Sequence, residues 1–190
     1  MDPGFVEAAL NCFSTYDFDK VTIHHISNFT VVSPAMLIAQ FGDKTRLFAA
    51  VLSWYIENGF DSMLRQLRKA YCPITAILYF FRVISERSII SGGSGARLVF
   101  TTAISLATRS TTFACIVEDA MHKLETFFYE CVVDSQEAND GMTRASAEHV
   151  AKLLIGSAAA VPVMVRAGDM HSTVDQFIKS VERLLRRQSC

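Results

Sequence analysis

Through almost the whole chain, apolar residues recur at three- and four-residue spacing, and nowhere do they alternate singly with polar ones. That spacing belongs to one face of a helix and not to a strand, so the chain is expected to be all-α. Four prolines and nine glycines in 190 residues leave room for long helices and exclude collagen-like or linker-rich architectures. With 51% hydrophobic and 19% charged residues, the chain can bury one sizeable core or two small ones, and it is not a disordered tail.

The first three periodic stretches are short. Phe5, Ala8, Ala9, Cys12 and Phe13 share one helical face that ends near Tyr16, followed by a polar turn from Asp17 to Lys20. Thr22 is placed to cap a second helix reaching about Asn28, with Ile23 and Ile26 on one side. Ser33-Pro34 supplies an N-cap followed by proline at the first helical position, which predicts a third helix to about Phe41, broken by Gly42. Asp43 then caps a fourth, in which Leu47, Ala50, Val51, Trp54, Phe60, Leu64 and Leu67 stay apolar for more than twenty residues.

Further helices are predicted over about 74–90, 96–107, 111–137, 146–167 and 173–187, with a kink at Pro162. Ser91 to Gly95, Asn139 to Arg144 and Gly168-Asp169 separate them. The expected architecture is about nine helices: an N-terminal three-helix helix-turn-helix domain over 1–48, then a larger C-terminal helical bundle over 49–190.

Five cysteines, at 12, 72, 115, 131 and 190, form no C-x-x-C pair, which argues against a disulfide framework or a zinc knuckle. They are expected to be reduced core thiols in a cytosolic protein, with Cys190 exposed. The N-terminal residues lack the basic and apolar regions of a secretion signal. The longest apolar run, Leu153 to Val165, is shorter than the ~18 residues that span a bilayer, so a buried helix and no membrane partner are expected.

Two short helices over Thr22 to Phe41 form a helix-turn-helix, or else an ordinary helical corner. Here Ala9, Phe13, Phe18, Thr22, Ile23, Ile26, Val32, Ser33, Leu37, Phe41, Lys44 and Leu47 stand in gapless register with the N-terminal pattern of TetR-family regulators, which the chain resembles. GARLVFTTAISLA at 95–107, KLETFF at 123–128 and AKLLIGSAAAVPVMVRAGDM at 151–170 are similar to the effector-binding half of one branch. The resemblance implies operator DNA, a small effector and a second copy of the chain as partners.

Physical chemistry assigns roles within the reading head. Ser33 at a helix start and the Thr22 hydroxyl suit phosphate oxygens, and Lys44 adds a charge. The outer residues of Pro34 to Gln40 are those that enter the major groove, Ala35 or Met36 against a thymine methyl and Gln40 on an adenine edge. Three positions depart from the family pattern: Asp17 and Val31 replace its usual glycines, and Ile38 replaces an aromatic. Over residues 1–48 three cations face five carboxylates, a weak phosphate magnet.

In the body, Trp54, Phe60, Met63, Phe80, Phe81, Ile84, Phe100, Ile104, Phe113, Met121 and Phe127 read individually as core, and together as the lining of a pocket for a mostly apolar effector. The resemblance implies such a pocket among helices four to seven. Arg82, Glu86, Arg97 and Glu118 are its candidate polar anchors, or solvated surface charges. Val150, Leu154, Ala158, Val161, Phe177, Val181 and Leu184 form stripes on the last two helices, suited to a four-helix interface with a second copy or to covering the chain's own core. The resemblance favours the homodimer.

No enzyme is expected. Adjacent His24 and His25 cannot form an i, i+4 metal pair, the other histidines lack acidic partners at ligand spacing, and no nucleophile elbow or P-loop occurs, so neither metal nor cofactor is expected. The expected function is a ligand-responsive transcriptional regulator, a repressor released from DNA by its effector. The alternative is a dimeric small-molecule-binding or interaction protein whose helix-turn-helix is vestigial.

Overall fold

The structure, a computed structural model, describes residues 1–16, 18–90, 95–139, 143–166 and 170–186, with backbone alone at 86–90, 96–97, 165–166 and 170–174. The helices are α1 (Pro3–Thr15), α2 (Ile23–Thr30), α3 (Pro34–Phe41), α4 (Lys44–Tyr55), α5 (Asp61–Ala70), α6 (Pro73–Ile90), α7 (Gly95–Ser105), α8 (Thr111–Glu137), α9 (Ala147–Arg166) and α10 (Met170–Leu185). No strand occurs among the described residues. A π-helical turn, Ile56–Phe60, joins α4 to α5 without a break, so the predicted long fourth helix is present, and the described residues form nine such runs besides a 3-10 turn at Phe18–Lys20. Spacing alone gives no sign of that extra residue in the turn. The breaks expected at Asp17, Ser91 to Ser94 and Gly168-Asp169, and the exposure expected of Cys190, lie outside the described residues.

The helix starts follow from their caps. Asp2 Oδ1 accepts from the Phe5 amide at 2.9 Å, Ser33 Oγ from Met36 at 3.3 Å and Asp43 Oδ1 from Arg46 at 2.9 Å. Thr22 and His25 form a reciprocal capping box: the His25 amide donates to Thr22 Oγ1 at 3.2 Å and the Thr22 amide to His25 Nδ1 at 3.3 Å.

The chain divides into two compact units, Met1–Phe60 with Ile90–Glu118, and Asp61–Ile89 with Asp119–Cys190. In the first, α1 packs on α2 and α4, and α7 packs on α1 and α4. Val6, Cys12, Phe13, Ile26, Leu37, Leu47 and Phe48 are buried there. Phe48 anchors the aromatic cluster, with ring centres 4.4 Å from Phe13, 5.3 Å from Phe18 and 5.4 Å from Phe113.

In the second unit the core is Leu64, Leu67, Ile77, Phe80, Phe81, Leu124, Phe128, Leu154 and Val161. Phe128 meets Phe80 edge-on at 5.2 Å and stacks on Phe81 at 6.0 Å. Gln136 Nε2 donates to the carbonyls of Thr143 and Ala145, both at 2.8 Å, and the Thr143 amide donates to the Leu185 carbonyl at 2.8 Å, which ties the residues just before α9 to the ends of α8 and α10. Over Ala147–Met164, mean hydropathy is 1.2, so by length and composition α9 is apolar enough to cross a membrane. The 13-residue run considered from sequence is shorter than this window, because the window averages in the neighbouring polar residues. A third of the window is buried within the chain, and α9 packs against α10.

Candidate functional site

The helix-turn-helix consists of α2, the three-residue connection Val31, Val32 and Ser33, and α3. Its geometry starts at Val31, which ends α2 at φ 57° in the left-handed region and is 92% exposed. A β-branched residue there is strained, since its Cβ crowds the backbone where glycine has none. Leu37 is fully buried, and Phe41 stacks on Phe5 with ring centres 5.8 Å apart, so one side of α3 is fixed against the head. The opposite side is open. Ala35 and Ala39, and Met36 and Gln40, lie four residues apart in two neighbouring rows, all exposed, with Ile38 exposed on their flank.

The other expected DNA contacts are already engaged within the head. Thr22 and Ser33 accept helix-capping amides, yet each keeps a hydroxyl proton to donate outward. Lys44 Nζ donates to the Phe18 carbonyl at 2.8 Å and lies 4.6 Å from the Phe18 ring centre. Pro34 is half-buried at the start of α3. Arg46 is exposed and 3.8 Å from Asp43, and Asp19 pairs with Arg109 at 3.0 Å. Phe29, Val31, Met36 and Ile38 give this face an apolar character unusual in a surface.

Of the eleven expected effector residues, Trp54, Phe60, Phe100, Ile104 and Phe113 lie in the first unit and the other six in the second. Phe60, Phe80, Phe81, Ile84, Phe100, Phe113 and Phe127 are buried, Trp54, Met63 and Met121 are half-buried, and Ile104 is 65% exposed. Arg82 and Glu118 are exposed, and the side chains of Glu86 and Arg97 lie outside the described residues.

A cleft of about 480 Å³ opens within the second unit, between α5 and α8. Leu64 and Phe127 form its apolar part, and Asp61, Arg65, Arg68, Lys69, His122, Lys123, Thr126 and Glu130 complete the lining. Phe127 is the one expected effector residue among these. The sequence does not single out the polar members because each reads as a solvated surface residue, although 61, 65 and 69 on α5, and 122, 126 and 130 on α8, stand at helical spacing. Ion pairs organise the cleft: Arg65 pairs with Asp61, Lys123 with Asp119, and Arg68 with Glu130 and, at 2.6 Å, with Asp134. No cluster of potential metal ligands occurs among the described residues.

On the last two helices, Val150, Leu154, Ala158, Val161 and Val181 are buried within the chain itself. Phe177 is half-buried, 5.8 Å from Phe81, and Leu184 is 44% exposed. A different row of α9 remains open, comprising Leu153 at 50% exposure, Gly156, and Val163 at 58%. This row lies beside the expected stripe, and periodicity signals both rows equally.

Among known structures, this arrangement is the fold of the TetR-family transcriptional regulators. The regulator CifR, solved with a 26-base-pair operator duplex, aligns over 97% of this chain and 96% of its own, at TM-score 0.80 and 14% identity. A transcriptional regulator from Saccharomonospora viridis, solved with choline, aligns over 97% and 96% at TM-score 0.81 and 14% identity. FadR from Bacillus subtilis, solved with stearoyl-CoA, aligns over 98% of both chains at TM-score 0.72 and 10% identity. No family model and no curated protein matches the sequence.

Proposed function

We propose that the chain is a ligand-responsive transcriptional regulator, a repressor that leaves operator DNA when a mostly apolar small molecule occupies its helical body. The observation that carries this reading is the open outer face of α3, the second helix of a helix-turn-helix, in a chain whose whole length follows a regulator solved on its operator. Residues 1–48 act as the reading head and 49–190 as the effector and dimerisation body.

Support for a small-molecule partner comes from the α5–α8 cleft, whose volume lies within the range of small-molecule sites. Its lining sets the apolar Leu64 and Phe127 beside charged side chains, which suits an effector that carries a charged or polar group on an apolar frame, as does the stearoyl-CoA of one structural neighbour. Homodimerisation is assigned to the open row of α9 with Leu184, since the buried stripe beside it is occupied by the chain's own core. Ligand then favours one arrangement of the body, and the two heads no longer engage both half-sites together.

The test is retention of labelled DNA from upstream of the coding region, at low and moderate salt, against a random duplex. Specific retention that a ligand relieves supports the regulator. A second reading, a ligand-binding dimer with a vestigial head, is favoured by the acidic balance of residues 1–48 and by the internal engagement of Lys44. Absence of retention even at low salt selects it.

A further inference from the structure

We infer that α3 selects its operator chiefly through the methyl groups of thymines, with phosphate attraction contributing little. This rests on the regulator reading above and specifies the DNA feature that the head recognises.

The sequence of α3, Pro-Ala-Met-Leu-Ile-Ala-Gln-Phe, contains no ionisable side chain, and Gln40 is its only strong hydrogen-bonding one. The exposed positions are Ala35, Met36, Ile38, Ala39 and Gln40. In the major groove each base pair presents a pattern of donors and acceptors, and thymine alone adds a methyl group. Four apolar side chains satisfy the edge donors and acceptors of no base pair, so the thymine methyl is the one major-groove group that they can recognise by contact. Against thymine methyls the same four chains gain contact and displace water. Gln40 matches the paired donor and acceptor of adenine, the partner of thymine. A·T pairs therefore satisfy every exposed side chain of α3.

Attraction to the DNA backbone is weak for structural reasons. Lys44 directs its ammonium to the Phe18 carbonyl and ring, Asp43 lies beside Arg46, and Asp19 holds Arg109. Discrimination then rests on the methyl contacts.

The experiment selects bound duplexes with the full-length protein from two random libraries, one synthesised with thymine and one with uracil in its place, which lacks only the methyl. Enrichment of a thymine-containing half-site in the first library and its loss in the second is the expected result. On the selected duplex, each thymine-to-uracil change should weaken binding about fourfold, the usual worth of one buried methyl-sized group. Met36→Ala should abolish that discrimination at one position while leaving the melting temperature unchanged, since Met36 is 63% exposed. Equal enrichment of one motif in both libraries overturns the inference and leaves the regulator standing. Enrichment in neither removes both.

Discussion

The Lys44 ammonium donates to the Phe18 carbonyl at 2.8 Å and sits 4.6 Å from the centre of the same residue's ring. This lysine therefore fastens the turn after α1 to the start of α4. Lys44→Met is expected to lower stability by about 1 kcal/mol in the absence of DNA, from the lost charge-assisted bond and ring contact. A lysine that served phosphate alone would leave the urea midpoint of the free protein unchanged.

Val31 holds a left-handed backbone conformation that glycine adopts freely. With its side chain almost wholly in solvent, nothing is lost by removing it. Val31→Gly should stabilise the protein by about 1 kcal/mol, whereas Val31→Ala, which keeps a Cβ, should recover much less. Chemical denaturation of the three proteins side by side decides the point.

Much of this fold is legible in the sequence because caps are local. Ser33-Pro34, Asp43 and Thr22 each start a helix where the residue type requires, and Gly42 ends one. The π-helical turn at Ile56–Phe60 leaves no local signature, since Ile56 and Phe60 also fit an α-helical apolar stripe. The site is only half legible. On α9 two neighbouring rows are both apolar, and only packing distinguishes Leu154 in the core from Leu153 in solvent. The polar cleft went unread because Arg65, Arg68 and Lys123 find their partners only once α5 and α8 are side by side or each helix has formed.

Gly95 carries a close contact that makes an ordinary substitution harmful. A Cβ there would fall 2.3 Å from Tyr55 Cζ, and a Cβ on Gly59 would come within 2.9 Å of the same ring. Exchanging a helical glycine for alanine usually stabilises by about 1 kcal/mol. Gly95→Ala should instead cost about 1–3 kcal/mol, the range of an overpacked core. In a Tyr55→Ala background the penalty should vanish, and a double-mutant cycle on melting temperature reads the coupling.

Burial separates the thiols. Cys12 is pushed up to about 11 and Cys131 to about 12, both by desolvation, while Cys72 and Cys115 are exposed at the surface and are not the core thiols expected from the sequence. Peptide mapping after brief iodoacetamide treatment of the native protein at pH 8 should find label on Cys72 and Cys115 and not on Cys12 or Cys131. The unfolded chain ionises these thiols near their ordinary value of 9.0 and the folded chain only at 11 to 12. Stability from this source is thus complete below pH 9 and falls as pH rises above it, and Cys12→Ala with Cys131→Ala should flatten that decline.

Leu153 and Val163 stand on the open row of α9. Leu153→Glu with Val163→Glu should convert a two-chain species to one chain in light scattering while helical circular dichroism persists. Leu154→Glu, one residue away but fully buried, should unfold the protein by placing an unpaired carboxylate in the core.

The two apolar rows of α9 differ in their cover: one is buried by its own chain, and the other is the face on which the proposed homodimer forms. Mass action then enters the chain's apparent stability. On the proposed homodimer, dilution uncovers Leu153 and Val163, so the melting temperature should climb with protein concentration, and the same protein would look robust when concentrated and fragile when scarce.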